Sequence, residues 1–363
     1  MKEKIVHVTS VHSRFDQRIF RKECRGLARE GYDVTLLVAD GKEHGVWDGV
    51  KIVSVPAPLN RVDRLINGSQ RIYRKAKVFD ADIYHIHDPE LLIVALLLRL
   101  QGRRVVFDMH EDAVVQIKIK PYLNRAQQVL FSSLYGALEA FAIRRLSGLV
   151  AATDGLVAKY GHLSKRSAAV PNYVDTFLFP ERVPCFERAV IFHPGALNRA
   201  RGLENMVALA RCLPLGSELL LAGPLAAGYQ QKSLEPARYL GVLDERATLE
   251  TYGRSNIGVI LYNAVGQYGG ATAVKAYEYM AAAMPIIMPD HGEWPEFNRR
   301  VQCGLNVTVD DPESVKSAVD WMLANPTKAA ELGLNGRKYV LENCDWKSSL
   351  GALVKLYDDI LKC

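Results

Sequence analysis

Short β-branched runs alternate with segments of helical spacing along almost the whole chain. Residues 4–9, 33–39, 51–56, 82–87, 104–110 and 149–152 read as strands, with helical patterns at 17–30, 65–78, 89–100 and 122–146 between them. Strand–helix–strand succession makes a mostly parallel sheet covered on both faces, and near-continuous apolar runs such as VVFDMH suit strands buried on both sides. Pro171, Pro180 and Pro184 punctuate a stretch without periodicity, which reads as a linker. The alternation then restarts, with strands expected at 189–194, 218–222, 256–262 and 284–289 and helices at 202–212, 272–283, 312–324, 327–342 and 346–361. The expected fold is therefore α/β, two doubly wound Rossmann-like domains facing a cleft. The domains are expected at 1–182 and 183–344, with a final helix, 345–363, returning to the first. At 363 residues the length suits two cores.

Composition excludes several classes. No apolar run exceeds the eight residues of 91–98, far short of the roughly 20 that span a bilayer. Met1-Lys2-Glu3-Lys4 leads into a short apolar run without the pattern of a signal peptide, so a cytoplasmic chain is expected. The six cysteines are scattered without CxxC pairs or histidines at zinc spacing, so neither disulfides nor a metal is expected. Residues 1–180 carry a charge of +8 and the remainder −2. Arg61, Arg64, Arg71, Arg74, Lys75 and Lys77 alternate with Leu65, Ile72 and Tyr73, and Lys118, Lys120 and Arg125 lie among Ile117, Ile119, Tyr122 and Leu130. Basic amphipathic helices of this kind suit an anionic membrane surface, here the inner face of the plasma membrane; ordinary solvated faces give the same pattern. No nucleic-acid recognition motif accompanies the charge.

Polar residues gather where strands end, the ligand side of doubly wound sheets. In GGATAVKAYEYMAAAMPII, residues 269–287, a Gly-Gly turn opens a helix that Thr272 can cap, and Glu278 lies two turns inside it. Free N–H groups at such a start bind a diphosphate, and a carboxylate further along can take a ribose diol. In HPGALNRARGLENM, residues 193–206, Arg199 and Arg201 occupy the loop after a strand and can neutralise a leaving diphosphate, although loop arginines taken alone are more often merely solvated. HIHDPELL (85–92) and FDMHED (107–112) place His87, Asp88, His110 and Glu111 at neighbouring strand ends, able to hold sugar hydroxyls or assist proton transfer. The loop HSRFDQRIF adds Arg14, Asp16 and Arg18. No GxGxxG follows the first strand, and neither a P-loop nor a GxSxG elbow occurs.

Together DQRIFRKECRGLAREGYDVTLL, HIHDPELL, FDMHED, VPNYVDTFLF, GALNRARGL, YLGVL, VKAYEYMAAAMPII and GEW resemble glycosyltransferase family 4, of the GT-B fold, over essentially the whole chain. The resemblance implies retaining transfer from a nucleotide sugar without a bound metal or other cofactor. The expected donor is a UDP-sugar and the acceptor a glycan or polyprenyl-linked glycan of a cell-surface polysaccharide pathway of the bacterial type. It implies that Glu278, the second Glu of E-x7-E, binds the ribose. Arg201 stands for the basic residue at the diphosphate, and His110 for the histidine near the donor sugar. Gly195, Arg199, Val242, Lys275, Gly270, Ala271 and Thr272 complete the implied donor site, with Asp16, Arg18, His87, Asp88 and Glu111 on the acceptor side. Three departures stand out: the first Glu of E-x7-E is Gly270, Ala196 replaces an arginine common after the glycine turn, and VHSRFDQ replaces a Gly-Gly loop. A nucleotide-sugar epimerase shares the plan, and the missing Glu also suits a non-catalytic partner subunit.

Overall fold

A computed structural model of the chain describes residues 3–120, 123–264 and 274–362. The chain forms two compact units, Met1–Asn172 with Trp346–Cys363 and Tyr173–Asp345.

The first unit holds β1 (Lys4–Thr9), β2 (Asp33–Val38), β3 (Gly45–Trp47), β4 (Val50–Ser54), β5 (Ile83–Ile86), β6 (Val105–Met109), β7 (Gly148–Ala151) and β8 (Ser167–Ala169). Their order is β3-β4-β2-β1-β5-β6-β7-β8, parallel throughout except for the β3–β4 pair at one edge. The sheet therefore winds outward from β1 in both directions, and the carboxyl ends of β1 and β5 form its topological switch point. Alternation of side chains explains what collects there. Val6, Val8, Tyr84, Ile86 and Phe107 join one core, with Ile72, Leu92, Leu98 and Ile143 from helices. Ile5, Ile83 and Val106 face the other core, with Phe20, Leu27, Trp346, Leu353 and Tyr357. His7, His85 and Asp108 each stand two residues beyond that second trio, so they point the same way.

The last helix, Trp346–Leu361, buries Trp346, Leu353, Leu356, Tyr357 and Ile360 at helical spacing against this second face. Each such side chain contributes about 1.5–3 kcal/mol on burial. Tyr357 carries its hydroxyl into the interior, 2.6 Å from His85 Nδ1.

The second unit holds β9 (Val190–Pro194), β10 (Glu218–Ala222), β11 (Arg238–Tyr239), β12 (Ile257–Val259), β13 (Ile286–Pro289) and β14 (Gly304–Val307), in the order β11-β10-β9-β12-β13-β14 and all parallel. Here the switch point lies between β9 and β12. The helix Val274–Ala281 is fixed by Tyr279, whose ring fills the place where Gly258 has no Cβ: a Cβ there would meet the ring at 2.4 Å. The Tyr279 hydroxyl donates to Phe192 O at 2.8 Å. Lys275, four residues before Tyr279, shares its side of the helix, and Glu278, three residues after Lys275, neighbours Lys275 at the edge of that side.

Both sheets and their major helices match the sequence expectation in type. The sequence passes over β3, β8, β11 and β14, all of four residues or fewer, and over the helices Ala113–Lys118, Asp154–Tyr160, Glu245–Arg254 and Trp294–Val301. Strands this short carry too few alternations to register as a period.

Candidate active site

In the first unit the switch point is lined by buried ionisable groups. Arg18 forks onto Asp108, Nη2 to Oδ1 at 2.8 Å and Nε to Oδ2 at 3.0 Å, and its Nη1 donates to Val170 O at 2.7 Å. Burial works to raise the Asp108 pKa, but the Arg18 charge, with His110 and His87, holds it well below the usual range. His87 Nδ1 and His110 Nε2 both donate to Asp108 Oδ2, at 3.1 and 2.9 Å. With its Nδ1 proton so committed, a neutral His87 accepts at Nε2, where His7 Nδ1 lies 2.9 Å away. Burial depresses His87 to about 3, against the pull of Asp108, so it is neutral at physiological pH. His110 is the only one of these three histidines that is partly exposed. Asp88, buried beside this group, stitches the loop after β1. It accepts from Thr9 Oγ1 at 2.9 Å, from the Ser10 backbone N–H and from Ser10 Oγ at 3.0 Å, and faces His12 Nδ1 at 2.9 Å. Burial would raise its pKa, yet His12 and these donors take it down to about 2.

In the second unit three residues converge beyond β9. Gly195 has φ +132°, and a Cβ on it would stand 2.8 Å from Lys275 Nζ and 3.3 Å from Arg201 Nη1. Lys275 is buried, and its Nζ donates to His193 Nε2 at 3.0 Å, whose Nδ1 donates to Val259 O at 2.9 Å. Burial, and then the neighbouring Arg201 charge, push the Lys275 pKa well below that of an ordinary lysine. Arg201 is positioned by a short helical turn, Arg199–Arg201, which Asn198 caps by accepting from Arg201 N at 2.9 Å. Glu278 is half-buried and its Oε2 accepts from the Tyr252 hydroxyl at 2.8 Å.

The sequence-derived residues thus separate into groups. His87, His110 and Arg18 meet at Asp108, and Asp88 lies beside them in the loop after β1. Asp16 is a helix-start residue whose Oδ1 accepts from the N–H of Arg18 and Ile19, both at 2.9 Å. Arg14 pairs with Asp40, Nε to Oδ2 at 2.6 Å, and Glu111 is exposed. Gly195, Arg201 and Lys275 come together, whereas Arg199 and Val242 are exposed. Gly270, Ala271 and Thr272 lie outside the described residues. Sequence reading passed over His7, Glu23, His85, Asp108, His193 and Tyr252. The spacing His85-x-His87 and the polar residues inside otherwise apolar strands were the available signals.

The match to "Glycosyl transferase 4-like domain" spans residues 17–172, and that to "Glycosyl transferase-like" spans residues 199–355. The chain belongs to the glycosyltransferases, with a family 4-like first half. Among solved structures this glycosyltransferase is similar to sucrose-phosphate synthase from Thermosynechococcus elongatus, at 18% identity and a TM-score of 0.73 over 99% of this chain and 100% of that one. The Anabaena protein HepE, in complex with UDP and glucose, superposes at 14% identity and a TM-score of 0.69, covering 98% and 100% of the two chains. An α,α-trehalose-phosphate synthase (UDP-forming) from Burkholderia vietnamiensis gives 13% identity and 0.67, with both chains fully covered. At these identities the likeness establishes the GT-B fold of the glycosyltransferase. No curated protein matches it.

Proposed function

We propose that the chain is a retaining glycosyltransferase whose second unit binds the diphosphate of a UDP-sugar between Lys275, Arg201 and the bare backbone of Gly195. The observation that carries this reading is the approach of two cationic side chains, within 2.8 and 3.3 Å of one point, to a glycine without a Cβ. Two like charges brought together at a buried position are costly, and a diphosphate relieves that cost while gaining charge-assisted hydrogen bonds. Glu278 then takes the ribose hydroxyls, with Tyr252 holding its other side. The solved complexes of HepE with UDP favour uridine as the first base to try.

In the transfer, the bond from the sugar's anomeric carbon to the diphosphate oxygen breaks as the acceptor oxygen bonds to the same carbon on the same face. The acceptor proton passes to the leaving diphosphate. Lys275 and Arg201 stabilise the charge that builds there, so neither a metal nor a separate general base is required. His110, the partly exposed histidine on Asp108, is assigned to the sugar as a positioning group, on the motif it shares with family 4.

The acceptor is proposed to be a glycan or polyprenyl-linked glycan of a cell-surface polysaccharide, with the first unit resting on the anionic inner face of the plasma membrane. Exposed Leu59, Val62, Leu65 and Ile66 beside Arg61 and Arg64, and exposed Val129, Leu130 and Leu134, support that reading. Among the described residues no helix is long and apolar enough to cross a membrane.

The test is a melting series with UDP, GDP, dTDP and CMP and their common sugars. A ligand at a hundred times its dissociation constant adds about 2.7 kcal/mol. A shift with one base family, lost in Glu278→Ala, supports the reading. A flat response across the panel overturns it. Donor consumption only in the presence of acceptor separates a transferase from an epimerase.

A further inference from the structure

Three imidazoles and a carboxylate meet in the interior of the first unit with more polar capacity than their surroundings use. His7, Glu23, His85 and His87 are all buried, and one donor atom from each lies within 4.8 Å of every other. Among the described residues, His7 Nε2, His85 Nε2 and both carboxylate oxygens of Glu23 have no hydrogen-bond partner. Arg18 Nε approaches Glu23 Oε1 at 3.1 Å, but Arg18 is already forked onto Asp108. Native interiors leave few polar atoms orphaned, and a buried carboxylate whose Oε2 faces His7 Nδ1, His85 Nδ1 and His87 Nε2 at 3.8, 4.0 and 3.9 Å calls for a ligand that accepts electron pairs.

We propose that His7, Glu23, His85 and His87 bind a divalent transition-metal ion of the zinc type, as a structural site distinct from the donor site. Tetrahedral zinc with nitrogen and oxygen ligands at about 2.0–2.1 Å sets its donor atoms about 3.4 Å apart. Glu23 Oε2 stands 3.8 Å from His7 Nδ1 and 3.9 Å from His87 Nε2, and the two nitrogens are 2.9 Å apart. Ligation draws the carboxylate in and spreads the histidine pair by about half an ångström each, exchanging one hydrogen bond for metal bonds.

Outer groups are already in place. Asp108 accepts from His87 Nδ1, which leaves Nε2 to ligate, the carboxylate–histidine–metal arrangement that fixes tautomer and ring orientation. The Tyr357 hydroxyl lies 2.6 Å from His85 Nδ1, the nitrogen that stands 4.0 Å from Glu23 Oε2, so ligation through Nδ1 turns the hydroxyl aside and ligation through the orphan Nε2 turns the ring. Three imidazoles and one carboxylate favour zinc and its later first-row neighbours over magnesium or calcium, which prefer all-oxygen shells. Four protein ligands leave no open position, the mark of a structural rather than a catalytic ion. The ligands come from β1, from the helical turn Ile19–Cys24, and from β5 and its end, so the ion would staple the first helix to the centre of the sheet. The neighbouring group His87, Asp108 and His110 also has ligand spacing, but Asp108 there is neutralised by Arg18.

The test uses the full chain. Metal content is measured by plasma mass spectrometry after purification, and the chelator-stripped protein is titrated with Zn2+ and with Co2+. The expected results are about one ion per chain, a melting point raised by several degrees on Zn2+ addition, and visible ligand-field absorption of tetrahedral Co2+. Glu23→Gln and His85→Gln should each lose the cobalt absorption and the zinc-dependent shift while keeping the circular dichroism of the folded chain. A wild-type chain that is metal-free and shows neither cobalt absorption nor a zinc shift overturns the proposal without recourse to any variant. Cobalt absorption unchanged in both variants overturns it equally. Neither readout involves a nucleotide, so this proposal and the donor-site reading fail separately.

Discussion

Each unit places a histidine in the strand at the centre of its sheet, His7 in β1 and His193 in β9, next to its topological switch point. The surroundings differ in sign and in closure. Around His7 the charges answer one another: Arg18 is forked onto Asp108, Asp88 faces His12, and the last helix closes over the group through Tyr357. Around His193 the nearest charged groups are Lys275 and Arg201, both cationic, beside a glycine that leaves the backbone bare. Charges answered in this way hold a fixed arrangement. A concentrated positive site sacrifices some stability so that an anion can complete it. The same fold plan thus gives one unit a charge-paired interior and the other a cluster of like charge, which the proposed diphosphate would complete.

Paired substitutions break this comparison most directly. Asp108→Asn removes the carboxylate from beneath a buried guanidinium and two histidines, and should destabilise the chain by about 3–5 kcal/mol, read as a fall in the denaturant midpoint. Lys275→Met, an apolar replacement of similar reach, should leave the melting point unchanged or raise it, because the buried ammonium is poorly solvated. Turnover of Lys275→Met should nevertheless fall by about 100- to 1000-fold, the usual effect of losing one group that stabilises leaving charge. Equal losses of stability in the two variants would show that the units do not differ in the way described.

How far these sites were legible follows from the periods involved. The strand-end motifs HIHDPELL and FDMHED exposed His87, Asp88 and His110 because a polar run after an apolar strand is visible by eye. Glu23 was hidden, since it sits among charged neighbours in RKECR and only the fold reveals that its face is the buried one. His7 and His85 fall inside strands, where a single polar residue reads as noise until the neighbouring strand is known. Arg18 looked like a ligand group from its loop position, and its fork onto Asp108 spans ninety residues of sequence. Lys275 and Gly195 were reached through motif resemblance, yet their meeting depends on Tyr279 seating the helix against Gly258. That last contact gives the second prediction. Gly195→Ala places a Cβ 2.8 Å from Lys275 Nζ and forces an L-residue to φ +132°. The strain costs about 1–3 kcal/mol. The nucleotide-induced melting shift should shrink by more than this stability loss explains, because the added methyl occupies the place of the phosphate. A shift preserved in full would move the diphosphate away from Gly195.

The smallest effect sharpens the comparison through protons. Burial and Arg201 depress Lys275 in the free chain, and a bound diphosphate restores an anion beside it, so its pKa is higher in the complex. Below the free-state pKa the lysine is charged before and after binding, and affinity is flat. Between the free-state and bound-state values, binding takes up a proton and affinity falls as pH rises, by at most about tenfold per unit. Above the bound-state value affinity is flat again, at its weaker level. UDP-glucose is the suitable ligand because its diphosphate has no proton to lose in this range. Calorimetry at one pH in two buffers of different ionisation enthalpy should then report uptake of up to one proton, absent in Lys275→Met. No uptake at any pH where binding weakens would mean that Lys275 stays charged in the free chain, and that the second unit carries its own compensating charge as the first does.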